Sequence, residues 1–399
     1  MEFQSERGRV LETHVRRLIE ARQFSGVTWC VEHQGRVVAQ GADGHRDAQA
    51  LQAMSEDTLF RLYSMTKPIV SVYCLQLIES GLLQLDDPVS RYIPEFGQQQ
   101  VLASDGRLQA LQRAMTIEDL LTHRSGLSYD FLPGCKVAEG YRDAGFAADG
   151  GRSLQELCVA LAEMPLAHQP GSCWYYSYST DVLAGVLERV SDKPLGTCLQ
   201  ESLFAPLGME ETAFQVGAEN RSRLAQMFGQ RELGQVPVAG ATDRAPVNRL
   251  QPMDVEQSYP SDSETFTRGG IGLYSSMRDY RRFMGVLMHG KTPDGARLLS
   301  RPMLDLAWQN RLRDSQMPIT IGDKAYPGYG WGLTGRLMVD TSAALRLSAC
   351  GEGGWAGAAS TWFWVDPARE FSGIVMTQYL GSEISLGPDM QGLAYAALG

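Results

Sequence analysis

Apolar positions along the chain follow two different periods. Val10, Val15, Leu18 and Ile19 recur at helical spacing and predict a helix docked on a sheet. Val27, Trp29 and Val31 then alternate, Gln34-Gly35 interrupts the run, and Val37-Val38 resumes it, which reads as a β-hairpin. From about residue 90 to 230 the pattern is helical, punctuated by glycine and proline. Residues 231–262 carry little periodicity and several prolines, and read as a long surface loop. In the last third, Gly328–Leu333, Leu345-Arg346-Leu347, Thr361–Val365 and Gly373–Met376 read as strands. The early hairpin and the late strands are expected to share one antiparallel sheet, flanked by helices and interrupted by a helical lobe. That is an α+β fold.

One segment stands apart. Ile69-Val70-Ser71-Val72-Tyr73-Cys74-Leu75-Gln76-Leu77-Ile78 is apolar nearly all round and ends at Gly81. A helix without a polar face belongs in the middle of a fold. It follows the strand-like Phe60-Arg61-Leu62-Tyr63 and then Ser64. Thr116-Ile117-Glu118-Asp119 has the form of a capping box and predicts a short helix through Leu121.

Composition narrows the chemistry. At 399 residues and 44% hydrophobic, the chain builds a core without staples. A net charge of −10 argues against nucleic acid, which requires clustered Lys and Arg. The seven cysteines lack C-x-x-C spacing and the six histidines lack ligand spacing, so no metal and no disulfide framework are expected. The N-terminal segment is charged from Glu2 on, and no run reaches the roughly 18 apolar residues of a membrane span. A soluble, cytoplasmic protein with no membrane partner is expected.

Only five lysines occur, and one of them stands three residues after a serine, in Ser64-Met65-Thr66-Lys67. On a helix such a pair shares a face. A serine hydroxyl needs a neighbour to take its proton, and a lysine does so once burial lowers its pKa. The competing reading is an N-cap serine beside a solvated lysine. A second constellation, Tyr176-Ser177-Tyr178, lies in an aromatic stretch from Trp174; its tyrosines are either proton carriers or packing. A third, Gly353-Gly354-Trp355-Ala356-Gly357-Ala358-Ala359, is either a tight turn or a strand whose backbone approaches a ligand closely.

In this order, the three motifs resemble those of the serine β-lactamase/penicillin-binding-protein (DD-peptidase) superfamily, whose signature includes S-x-x-K. Thr122-His123-Arg124-Ser125-Gly126-Leu127, Leu207-Gly208-Met209 and Gly269–Ser275 are similar to further segments of that group. Tyr178 stands where class C enzymes have asparagine, and Trp355-Ala356-Gly357 where they have Lys-Thr-Gly. Both departures resemble the family VIII carboxylesterases, although Trp-Gly-Gly is their commoner form. The resemblance implies a single catalytic domain over residues 1–399. Its α/β lobe would comprise about 1–90 and 240–399, and its helical lobe about 91–239.

It further implies Ser64 as nucleophile, Lys67 and Tyr176 as proton carriers, and the backbone N–H groups of Ser64 and Ala358 as oxyanion hole. Trp355, Ala356, Gly357 and Tyr178 would line the substrate pocket. The substrate would be a small-molecule ester cleaved through an acyl-enzyme, with no cofactor. The alternatives are a β-lactamase or DD-peptidase, and an amidase or acyltransferase acting on one metabolite. No G-x-S-x-G occurs, so the nucleophile elbow of α/β-hydrolases is absent.

Overall fold

The computed structural model describes residues 2–146, 151–229 and 249–399. Its centre is an eight-stranded antiparallel sheet in the spatial order Tyr329–Trp331, Arg336–Met338, Gly353–Ala356, Trp362–Asp366, Phe371–Met376, Gly26–His33, Arg36–Asp47, Gln52–Ala53. The early hairpin joins the late strands through Gly26–His33 and Phe371–Met376, with Trp29 opposite Val375 and Val31 opposite Gly373. The expected α+β architecture is the one observed.

Both faces of this sheet are covered, which explains strands that read as continuous apolar runs. Side chains alternate across the sheet. Trp362, Trp364, Phe371, Val375, Trp29 and Val31 face one way, into a core shared with Leu11, Val15, Leu386 and Met390. The latter four lie on the first and last helices, Ser5–Glu20 and Leu386–Ala397. Phe363, Val365, Ile374 and Met376 face the other way, toward the helices Met277–His289 and Thr66–Glu79. The Thr66–Glu79 helix is buried on all sides, as its composition requires.

The helices Ile117–Leu121, Lys136–Asp143, Leu154–Glu163, Ser179–Ser191 and Leu195–Leu199 follow the Thr66–Glu79 helix in the chain. The first is capped reciprocally by Thr116 and Asp119, as the sequence predicts. Among the described residues no helix is long and apolar enough to cross a membrane.

Three expectations change. Val10 is 48% exposed, and the docking face of the first helix is carried by Leu11 and Val15. Leu345-Arg346-Leu347 is not a strand. It lies in the loop between Arg336–Met338 and Gly353–Ala356, which pair with each other and leave it no partner; Leu345 is 80% exposed. Of the long loop at 231–262, residues 231–248 lie outside the described residues, and the remainder contains neither helix nor strand.

Arg336 and Glu352 form an ion pair at 2.9 Å, and both side chains are fully buried. Glu352 also accepts hydrogen bonds from the hydroxyls of Tyr329 and Ser348, each at 3.0 Å. Removing one partner of such a pair strands the other charge. Glu352→Ala is therefore expected to cost about 3–5 kcal/mol of stability, measured by urea denaturation against the wild type.

Candidate active site

Ser64 sits at a strained corner. The Leu59–Arg61 strand ends, Tyr63 takes a left-handed φ of 47°, and one tight helical turn, Tyr63–Met65, leads into the Thr66–Glu79 helix. A positive φ is unfavourable for a bulky residue and persists where its surroundings enforce it. Tyr63 is held by Tyr259 at 4.8 Å between ring centroids. The corner leaves Ser64 half-buried at the N-terminal end of the central helix while its neighbours Tyr63 and Met65 are buried.

Lys67, one turn on, is 3% exposed. Its Nζ lies 3.2 Å from Ser64 Oγ, 2.8 Å from the Tyr129 hydroxyl and 2.8 Å from the Gly270 carbonyl oxygen. Burial brings its pKa down to about 7, against the opposing pull of Asp181. A neutral amine has two N–H donors and one lone pair. Two acceptors and one hydroxyl that can donate match that valence.

Asp181 is 1% exposed, in the first turn of the Ser179–Ser191 helix. Its Oδ1 accepts the Gly270 N–H at 2.9 Å, so a single residue links the carboxyl to Lys67. Its Oδ2 has no hydrogen-bond partner among the described residues. Burial raises its pKa, with Lys67 acting in the opposite direction. A side chain at Gly270 would put Cβ 2.4 Å from Asp181 Oδ2 and 2.8 Å from the Tyr129 hydroxyl oxygen, so glycine is required there.

The Tyr176 hydroxyl is 2.7 Å from Ser64 Oγ. Burial pushes its pKa up, so the phenol is neutral near pH 7. Behind it His123, at a φ of 51°, places its ring centroid 4.7 Å from that of Tyr176. Burial, and then Lys67, hold this imidazole well below its ordinary pKa.

The Gly353–Ala356 strand brings the third motif to the same place. Trp355 is buried and its indole N–H donates to the Tyr176 hydroxyl oxygen at 3.1 Å. A Cβ on Gly357 would lie 2.3 Å from both the Leu62 carbonyl oxygen and Thr361 Oγ1. Glycine thus lets the strand end close on the corner that carries Ser64. Ala358, next in the chain, is half-buried like Ser64.

Ser64, Lys67, Tyr176 and Trp355 therefore converge, and two expected pocket residues do not. The Tyr178 hydroxyl donates to Asp130 Oδ1 at 2.7 Å, and its ring packs on Tyr129, Tyr141 and Phe146. It braces Tyr129 from behind instead of facing Ser64, because the chain enters a helix at Ser179 and adjacent side chains diverge. Ala356 follows Trp355 in a strand, so its methyl turns to the opposite face, against the core of Trp362 and Trp364.

Sequence reasoning missed Tyr129, Asp181 and Gly270. Each lies close to a recognised segment: two residues after Leu127, five after Tyr176 and within Gly269–Ser275. The proximity was legible, but the chemistry was not.

A family model described as Beta-lactamase matches residues 11–393, and the chain belongs to that family, as a serine hydrolase. It is 33% identical to Protein Rv1367c of Mycobacterium tuberculosis over 92% of this chain and 89% of that one. It is 32% identical to Esterase EstB of Burkholderia gladioli, over 90% and 87%. The solved structure of EstCE1, described as a hydrolase with promiscuous acyltransferase activity, superposes with a TM-score of 0.79 at 23% identity, covering 99% of each chain.

The two tyrosines of the second motif are expected to separate by experiment. Tyr176→Phe should lower kcat by about a hundredfold or more. Tyr178→Phe should leave kcat within about threefold while costing about 1–3 kcal/mol of stability, since Asp130 loses a buried donor. Steady-state kinetics and thermal melts on both variants check this.

Proposed function

We propose that this serine hydrolase of the β-lactamase family is a carboxylesterase that cleaves small, uncharged acyl esters through an acyl-enzyme on Ser64. The observation that carries the reading is the contact of Ser64 Oγ with both Lys67 Nζ, at 3.2 Å, and the Tyr176 hydroxyl, at 2.7 Å. Such a serine has a proton acceptor and a proton donor in place before substrate arrives.

Lys67 acts as the base. Its pKa of about 7 leaves a large neutral fraction at neutral pH, whereas Tyr176 is driven away from its anion. Ser64 Oγ attacks the ester carbonyl carbon and its proton moves to Lys67 Nζ. The developing oxyanion is received by the backbone N–H groups of Ser64 and Ala358. Collapse expels the alcohol, and water then releases the acid.

Trp355 supports an uncharged substrate. It stands where a lysine would hold a carboxylate, and its only donor is already given to Tyr176. Losing a charge-assisted contact of about 1.5–3 kcal/mol weakens anionic ligands about tenfold or more. The likeness to Esterase EstB points the same way. A second reading, transfer of the acyl group to an alcohol, is favoured by the likeness to EstCE1 and uses the same acyl-enzyme.

Two outcomes are expected. A short-chain p-nitrophenyl ester should be hydrolysed by the wild type and not by Ser64→Ala; turnover in both would remove Ser64 as nucleophile. In a pH profile, kcat/KM should rise with pH through about 7 as Lys67 loses its proton, and level off above. A flat profile across that range would remove Lys67 as the base.

A further inference from the structure

The direction of the hydrogen bonds at Ser64 follows from which groups can only donate. An indole nitrogen donates and does not accept. Trp355 Nε1 lies 3.1 Å from the Tyr176 hydroxyl oxygen, and Ser64 Oγ lies 2.7 Å from it on the other side. Of these two neighbours, only Ser64 Oγ can accept the phenolic proton. Ser64 must then send its own proton elsewhere, and Lys67 Nζ is 3.2 Å away. Lys67 in turn donates to the Gly270 carbonyl at 2.8 Å. Trp355 and Tyr176 thus donate in sequence toward Ser64 Oγ, on which Lys67 Nζ also converges.

Trp355 is held firmly in that role. Its ring meets Trp331 edge-on at 4.5 Å between centroids, and Trp331 is itself tied by its indole N–H to the Leu121 carbonyl at 3.1 Å. Gly353, two residues earlier on the same face, leaves room for Trp308, whose ring a Cβ there would approach to 2.0 Å. The indole is thus wedged between the sheet and the helical lobe.

We infer that Trp355 is a positioning residue: by occupying the Tyr176 oxygen with its N–H it holds the Tyr176 proton toward Ser64, where the alcohol departs, and so matters most for alkyl esters with poor leaving groups. This rests on the esterase reading above and adds the leaving-group class. When the tetrahedral intermediate collapses, the bond between the acyl carbon and the alcohol oxygen breaks. That oxygen takes the Tyr176 proton with its new lone pair. The Lys67 ammonium, which holds the proton from Ser64, returns one to the Tyr176 phenolate. The net change is transfer of the Ser64 proton to the alcohol, and no oxidant or further reactant enters.

The test compares two esters of one acyl group, an ethyl ester and a p-nitrophenyl ester, using kcat/KM, which reports steps through acylation. p-Nitrophenolate leaves without a proton and ethoxide does not. Trp355→Phe should depress the ethyl ester about tenfold or more beyond any loss on the aryl ester, and Tyr176→Phe should show the same bias. If Trp355→Phe fails to fold, replacing Trp355 by 3-benzothienylalanine keeps the bicyclic shape and removes only the N–H donor. The same bias is expected there. Equal losses on both esters in the variants would overturn the inference and leave the esterase reading standing. Undiminished hydrolysis of both esters by Ser64→Ala would overturn the reading beneath it.

Discussion

The burial of one amine organises this site. Lys67 is almost fully removed from water, and an ammonium so placed is costly unless it is paired. The fold responds in two ways. It gives the nitrogen three polar neighbours, from Ser64, Tyr129 and Gly270, and it sets the buried Asp181 carboxyl on the far side of Gly270. The amine is therefore poised between its charged and neutral forms, which is what a proton acceptor for a serine requires. These neighbours come from parts of the chain far apart in sequence. Assembling them requires the central helix, the helical lobe and the Gly269–Ser275 segment to meet at one point.

Glycines permit that meeting. Gly270 and Gly357 each occupy a place where a Cβ would lie within 2.4 Å of a neighbouring oxygen. One lets the Lys67 carbonyl partner sit beside Asp181, and the other lets a sheet strand end against the Ser64 corner. The corner itself holds Tyr63 in a left-handed conformation that only dense packing sustains. Precision at Ser64 is thus bought with local strain and carried by the surrounding core.

The surroundings of the site are aromatic and contain few charges. His123, Trp174, Trp331 and Trp355 pack around Tyr176 with centroid separations of 4.5–6.0 Å among the contacting rings. Such a wall excludes water and strengthens each remaining polar contact. It also keeps Tyr176 protonated, because burial penalises the phenolate more than the hydrogen bonds with Ser64 and Trp355 favour it.

The sequence by itself determined the elements whose cause is local. The apolar run of 69–78 could only be a buried helix, and Thr116 with Asp119 could only cap a short one. The apolar run at Trp362–Val365 read as a strand, and the structure covers it on both faces. Ser64, Lys67 and Tyr176 were legible because their spacing and order match a known pattern. Tertiary structure decided what depends on contacts between distant segments. It chose Leu11 over Val10 as the docking residue, left Leu345 in a loop without a strand partner, and turned Tyr178 to Asp130 and Ala356 to the far face. It alone brought in Tyr129, Asp181 and Gly270, because a hydrogen bond across 62 or 203 residues leaves no periodicity to read. It alone gave Trp355 its donor's role, since a side chain's identity states which bonds it can form and only packing states which one it does form.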